Sequence, residues 1–232
     1  LRGRSRVSGR RQCVRPGAAV RKMKTPFSQE NIGEVIFALQ PSRPILCTTK
    51  NADGTDHVAP FGWCTPISQY PPMLALAIAC KPHRSQTLVN IERDGEFVVN
   101  LPDMSLADKL VETSYKTKLG ENKFDRSGFT RMSSRMVKPV CIEECRAHLE
   151  CRVRRIDYPG DHGVICADIV YACYDDDAFG GHMLIDTRHF RPVIHLQNVN
   201  PKEADSQIHV FLKAADVEVC QVPFPKQKSI EQ

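Results

Sequence analysis

The run His83-Arg84-Ser85-Gln86-Thr87 places a guanidinium and two hydroxyls immediately before a helical apolar pattern. The first turn of a helix has backbone N–H groups without intrahelical partners, and an arginine adds charge-assisted hydrogen bonds. Together these donors suit a phosphate group, with Arg84 and Thr87 as the stronger candidates. Ser85 can bind the phosphate, cap the helix, or do both. The alternative is that Ser85 only caps the helix and Arg84 is solvated.

A second segment, residues 59–65, combines aromatic and small side chains. Small residues let a backbone approach a flat ring closely, and its N–H and C=O groups can then bind the polar edge of that ring. The alternative is a buried strand whose Phe61 and Trp63 fill the core. The candidate ring-binding residues are Ala59, Pro60, Phe61, Gly62, Trp63, Cys64 and Thr65.

Two histidines have contrasting surroundings. His162 lies in the turn Gly160-Asp161-His162-Gly163 between two predicted strands, where its ring is expected at a barrel mouth. Such a ring could orient a substrate or stabilise charge, or it could simply bond to the backbone of its turn. His195 lies in an apolar strand and is interpreted as a core histidine.

These candidates fall on short helices and short strands. Apolar spacing predicts a helix over 29–39 with Ser28 as N-cap, a helix over 85–93, and a helix over 105–114 capped by Ser105. Residues 115–138 and 175–190 are predicted loops. Strands are predicted over 43–49, from 57, over 73–79 (apolar on both faces), 96–101, 147–153, 163–174 and 192–196, with possible edge strands at 208–212 and 217–219.

The order of these elements predicts a mainly β protein. Strands dominate without regular alternation of strand and helix, which favours a closed or partly closed antiparallel barrel. No G-x-G-x-x-G follows a strand and no G-x-x-x-x-G-K-[ST] occurs, so a doubly wound nucleotide-binding fold is disfavoured.

In combination, the motifs resemble the flavin reductase family with the FMN-binding split barrel. The resemblance covers roughly residues 27–196, and its motifs occur in the family's order. One departure is Gln197-Asn198, where many members have Gly and Tyr. The motifs are Ala59-Pro60-Phe61-Gly62-Trp63, Tyr70-Pro71-Pro72, Ser85-Gln86-Thr87 with Asn90-Ile91, Gly95-Glu96-Phe97-Val98-Val99-Asn100, Lys123-Phe124, Gly160-Asp161-His162 and Arg191-Pro192-Val193-Ile194-His195.

This resemblance implies an antiparallel, Greek-key-like split β-barrel with short flanking helices. It implies FMN as cofactor, bound by residues 59–65 and by Arg84, Ser85 and Thr87, with NADH or NADPH as hydride donor. It places His162 near the nicotinamide and Phe124 near the flavin, reached from the partner subunit of a homodimer. For Phe124 a core position is an equal alternative.

Two other functions stay open. A flavoredoxin-like electron carrier would exchange electrons with a protein acceptor, and a non-catalytic module would only bind FMN. No recognisable catalytic triad or pair of carboxylates is present, as expected where the cofactor performs the chemistry.

The charge of the chain is unevenly distributed. The net charge is +5 over 232 residues, but residues 1–22 carry eight basic residues and no acidic one, so the rest has 24 basic and 27 acidic residues. The body therefore has no overall attraction for nucleic acid. We expect a disordered basic leader or upstream sequence over 1–22, the split-barrel domain over 23–200, and an extension of it over 201–232. No apolar run is long enough to span a membrane.

The ten cysteines predict neither a metal site nor a disulfide framework. No pair has C-x-x-C spacing, and Cys141 and Cys145 have no second pair to complete a tetrahedral zinc site. Several cysteines lie inside apolar runs, where they act as small hydrophobic residues. Free thiols in a reducing cytoplasm are the expectation.

Overall fold

The computed structural model of the protein describes residues 24–115, 121–199 and 208–211. It comprises two compact units, residues 1–38 and residues 39–232. In the first unit the predicted helix is present as a 3₁₀ helix, Gln29–Leu39. The predictions for 1–22 and for a strand at 217–219 lie outside the described residues.

Seven antiparallel strands form the main sheet of the second unit, in the order β2-β1-β5-β8-β9-β4-β3. Two further antiparallel pairs, β6 with β7 and β10 with β11, complete the strands that are described. The strands are β1 Ile45–Lys50, β2 Asp56–Phe61, β3 Cys64–Ser68, β4 Met73–Ala79, β5 Glu96–Leu101, β6 Arg131–Met132, β7 Cys141–Ile142, β8 Ala147–Asp157, β9 His162–Tyr174, β10 His195–Val199 and β11 Ile208–Phe211.

The two edges of the main sheet are joined by Gly62 and Trp63 alone, since β2 ends at Phe61 and β3 begins at Cys64. Three residue steps span at most about 11 Å, whereas the edges of a flat seven-stranded sheet would lie about 29 Å apart. The sheet must therefore curl until its edges approach. The result is the predicted split β-barrel.

Helix α1, Gln86–Asp94, begins and ends at recognisable capping residues. Ser85 Oγ accepts from Leu88 N–H at 3.2 Å to start α1, and Gly95 at φ 68° ends it. In front of α2 the prediction of Ser105 as cap is wrong, because Asp103 accepts from Ser105 N–H at 2.9 Å and caps a short 3₁₀ helix, Met104–Leu106. The α-helices are α1 Gln86–Asp94, α2 Ala107–Ser114 and α3 Lys123–Ser127.

Three other expectations need correction. The predicted loop over 115–138 contains α3 and β6, with Asn122 capping α3 and Gly128 at φ 62° ending it. β4 buries only one face, because Leu74, Leu76 and Ile78 are buried whereas the residues between them are partly exposed. The last predicted strand begins at His195 and not at Pro192, which lacks an N–H for the ladder.

Two apolar cores lie on opposite faces of β1. Inside the barrel Ile45 and Cys47 pack with residues of β4, β5, β9 and α1. On the other face Leu46 packs with residues of β2, α2, α3 and β7. Burial on both faces explains why β1 reads as a continuous apolar and threonine-rich run.

All eight cysteines in the described part of the chain are free thiols, as expected. Burial in the barrel raises the pKa of Cys47 and Cys151 well above the ordinary thiol range, so these thiols are poorly nucleophilic. Within the described ranges no helix is both long and apolar enough to cross a membrane.

Candidate functional site

Trp63 and His162 stack on each other, with ring centroids 4.7 Å apart and 29° between the ring planes. Trp63 lies at the corner between β2 and β3, where its carbonyl accepts from Ala77 N–H at 2.9 Å. His162 opens β9 and pairs with Ala79 at the end of β4. The curl of the sheet thus brings two predicted site residues into one aromatic wall, and Trp63 is 41% exposed.

Asp161 also orients His162, through a hydrogen bond to a nitrogen of the ring. Its Oδ1 lies 2.7 Å from His162 Nδ1, and this hydrogen bond lowers the pKa of the Asp161 carboxyl. The carboxylate therefore accepts, Nδ1 donates, and Nε2 is the nitrogen left for other partners. Sequence reasoning quoted Asp161 in the turn without assigning it this role.

The loop before α1 is fastened to the same turn and is basic. The Asp161 carbonyl accepts from Cys80 N–H at 2.8 Å and from Lys81 N–H at 3.2 Å. Lys81, His83 and Arg84 follow as exposed residues. Three basic side chains at the start of a helix therefore lie beside the turn that carries His162.

Arg84 has partners that the sequence did not indicate. Its Nη1 lies 2.5 Å from Glu92 Oε2, and its guanidinium lies 5.4 Å from the centre of the Tyr158 ring. The Tyr158 hydroxyl donates to Glu92. Glu92 is two turns further along α1, and Tyr158 follows β8, so only the folded chain brings the three together.

Thr87, predicted as a phosphate ligand, is fully buried. Its Oγ1 lies 3.1 Å from Nε2 of His57, which is itself buried. The hydroxyl thus contacts His57 in a buried position, and direct binding of phosphate by Thr87 stays a prediction. Ser85 is confirmed as the helix cap. His57 opens the motif that contains residues 59–65, but nothing in its spacing indicated the Thr87 contact.

Acid should destabilise the fold through His57. Burial lowers its pKa from 6.5 to about 4, with a further contribution from the nearby positive charge of Lys123. Between these values the unfolded chain binds a proton that the folded chain does not, so stability falls as the pH drops from 6.5 towards 4. The shift corresponds to a loss of about 3 kcal/mol, and burial of His148 acts in the same direction.

Urea unfolding of the wild type and of His57→Gln at pH 7 and pH 4 measures this effect. The variant should show a smaller loss between the two pH values, because glutamine cannot take up the proton. The control is His83→Gln at an exposed histidine, which should retain the wild-type loss. An unchanged pH dependence in His57→Gln would contradict the assignment.

The segment 59–65 divides between core and surface. Phe61 and Cys64 pack against the inner core, and burial raises the pKa of Cys64 to about 11. Ala59 is buried and Pro60 and Gly62 are partly buried, whereas Trp63 and Thr65 are exposed. A Cβ on Gly62 would lie 2.8 Å from Ser42 Oγ, so a larger residue at this corner would displace the Ser42 side chain. Only Trp63 and Thr65 present their side chains at the surface.

Phe124 lies in the second core and not beside Trp63 and His162. Its ring is fully buried in the second core, and the Arg131 guanidinium lies 4.7 Å from its centre. The side chain therefore has a core position within this chain, and its proximity to a flavin stays a prediction. The described residues contain no cluster of three or more His, Cys, Asp or Glu side chains that could bind a metal ion.

A curled antiparallel sheet with an aromatic pair and a basic loop at one rim defines a split-barrel protein. Residues 38–193 match the model of the flavin reductase like domain family, and the chain belongs to that family. A relative from Halalkalibacterium halodurans, itself uncharacterized, is 30% identical over 178 residues, which cover 72% of this chain and 84% of the relative.

Solved structures share the fold at low sequence identity. A Shewanella frigidimarina protein, described as a flavin reductase with a split barrel domain, superposes with a TM-score of 0.68 at 17% identity, covering 87% of this chain and 100% of that one. Flavoredoxin from Methanosarcina acetivorans superposes with a TM-score of 0.62 at 19% identity, covering 84% and 95%. Family membership supports a flavin cofactor.

Proposed function

We propose that the protein binds FMN and transfers hydride from NADH or NADPH to the flavin. The observation that carries this proposal is the stack of the exposed Trp63 on the half-buried His162, beside the basic loop Lys81, His83 and Arg84. An aromatic wall suits a flat ring system, and clustered cations at a helix start suit a terminal phosphate. The donor set therefore fits a phosphorylated flavin.

Each part of the site would have a separate task. Arg84, with Lys81, His83 and the Ser85 end of α1, would hold the phosphate, while Trp63 would contact the ring system. A bound flavin supplies the hydride-accepting chemistry. His162, oriented by Asp161 through Nδ1, would position the nicotinamide by way of Nε2. We assign no cofactor contact to Phe124 or to the Thr87 hydroxyl.

We further propose a homodimer in the cytoplasm that acts on small-molecule flavin and nicotinamide and does not bind nucleic acid or membrane. The runner-up functions are an electron carrier with a protein acceptor and a non-catalytic FMN module. Both bind flavin as the reductase does, and they differ from it in failing to react with nicotinamide.

One experiment separates these functions. The purified protein is titrated with FMN, FAD and riboflavin, and absorption spectra are then taken before and after anaerobic NADH and NADPH. Tighter binding of FMN and bleaching by either nicotinamide are expected. A yellow protein that neither nicotinamide bleaches would favour the carrier or the module, and a protein that binds no flavin would overturn the proposal.

Arg84→Ala should weaken FMN binding ten-fold or more and leave riboflavin binding nearly unchanged, because only FMN carries the phosphate. A charge-assisted hydrogen bond contributes about 1.5–3 kcal/mol. The matched control is Arg93→Ala, which removes an exposed arginine paired with Asp94 at the other end of α1. Equal FMN affinity in the two variants would contradict the role of Arg84.

A further inference from the structure

Glu92 forms an ion pair with Arg84, the residue on which phosphate binding is proposed to depend. It accepts from the Arg84 guanidinium through Oε2 and from the Tyr158 hydroxyl through Oε1. Two different partners thus hold the two oxygens of one carboxylate. The Glu92 carboxylate therefore lies where the phosphate of FMN is expected to bind.

The ion pair between Glu92 and Arg84 is exposed enough to exchange. The Arg84 side chain is 50% exposed and that of Glu92 is 23% exposed. Ion pairs in such surroundings are weak because water and salt screen them. A phosphate carries more charge than a carboxylate and offers more acceptor oxygens, so it can displace Glu92 from the guanidinium.

Tyr158 fixes the carboxylate near the arginine even when the pair opens. A Cβ added to Gly163 would lie 3.1 Å from Tyr158 Cε1 and 3.3 Å from Leu88 Cδ1, so the ring sits against bare backbone between β9 and α1. The hydrogen bond to Glu92 raises the pKa of the Tyr158 hydroxyl, which therefore stays a donor. Glu92 cannot simply swing into solvent without losing this bond.

We propose that Glu92 competes with the flavin phosphate for Arg84 and thereby sets how strongly FMN is retained relative to riboflavin. The inference rests on the proposed function and assigns a specificity-determining role to a residue outside the family-like motifs. Its consequence is that FMN exchanges readily instead of remaining permanently bound. Neutralising Glu92 removes both the competition for the guanidinium and the repulsion of the phosphate.

The test compares Glu92→Gln with the wild-type protein in titrations with FMN and with riboflavin. FMN should bind about ten-fold tighter to the variant, and riboflavin should bind within about two-fold of wild type. Inorganic phosphate should weaken FMN binding to both proteins, because it competes for the same guanidinium, and it should leave riboflavin binding to both unchanged. Asp94→Asn is the matched control, since it neutralises another exposed acid of α1 that pairs with an arginine, and it should change neither affinity.

The outcomes distinguish failure of the competition between Glu92 and the FMN phosphate from failure of the proposed function. An unchanged ratio of FMN to riboflavin affinity in Glu92→Gln overturns the competition while flavin binding stands. An equal gain in Asp94→Asn also overturns it, because the effect would then be one of general charge. If the folded wild-type protein binds neither flavin, the proposed function fails, and the competition fails with it. Thermal unfolding of each variant establishes that it is folded.

Discussion

Replacing His162 by alanine should slow the reduction of bound flavin by NAD(P)H about 10–100-fold, which is about 1.4–2.7 kcal/mol of transition-state stabilisation. The ring is held on its face by Trp63 and at Nδ1 by Asp161, so it is oriented before substrate arrives. An oriented group contributes to the rate without an ordering penalty. FMN affinity should change little, because in the proposed function the basic loop before α1, and not His162, holds the phosphate.

Stopped-flow reduction at saturating nicotinamide, alongside an FMN titration, separates rate from binding. Asp161→Asn is the matched variant, since it keeps the imidazole but exchanges its charged acceptor for an amide, and we expect a smaller loss of rate. Trp63 is the only tryptophan in the sequence, so its fluorescence reports directly on the stack in each variant. A His162→Ala protein that reduces flavin at the wild-type rate, or that loses FMN, would contradict the assignment.

Replacing Glu150 by alanine should lower the free energy of unfolding by at least about 3 kcal/mol. The carboxylate is 1% exposed and accepts from three consecutive backbone N–H groups, those of Arg135 at 2.7 Å, Met136 at 2.5 Å and Val137 at 3.1 Å. Its removal takes a charged acceptor from three backbone donors at once, and each charge-assisted hydrogen bond contributes about 1.5–3 kcal/mol. The loop between β6 and β7 should be released as a result.

Urea unfolding at neutral pH gives the free energy, and native-state hydrogen exchange at residues 135–137 locates the loss. The control is Glu144→Ala, which removes a more exposed carboxylate that accepts from the Thr130 N–H at 3.1 Å. We expect its effect to be about 1 kcal/mol or less, because water can replace it. If the two variants lose similar amounts of unfolding free energy, burial of Glu150 is not the cause of its contribution to stability.

Much of the barrel was predictable because local patterns determine it. Helical apolar spacing locates α1, and continuous runs of strand-forming residues locate β4 and β5, each to within a residue at either end. Helix α3 was missed since five residues rich in charge carry no apolar period, and only Asn122 and Gly128 mark its ends. In the folded chain α3 packs through Phe124, whose burial could not be inferred from this short segment.

The candidate site was predictable only in part, because its contacts join distant segments. His162 and Trp63 could be chosen one by one from motifs, but their stacking depends on the pairing of Ala79 with His162 and on the corner at Gly62. The same holds for Glu92 and Tyr158, which no spacing rule connects. The contact of Thr87 with His57 was not predictable either, because it depends on how α1 packs against β2.

The pairing of β4 with β9 also governs how the chain can fold during synthesis. Met73 pairs with Asp168 and Ala79 with His162, so the apolar strand β4 leaves the ribosome long before its neighbour does. At roughly 5–20 residues per second this delay is about 5–20 s. Throughout that interval β3 is the one strand of the main sheet that pairs with β4, so the other edge of this apolar strand stays open. An open apolar edge is a template for pairing with another chain, so aggregation during slow translation should begin at β4.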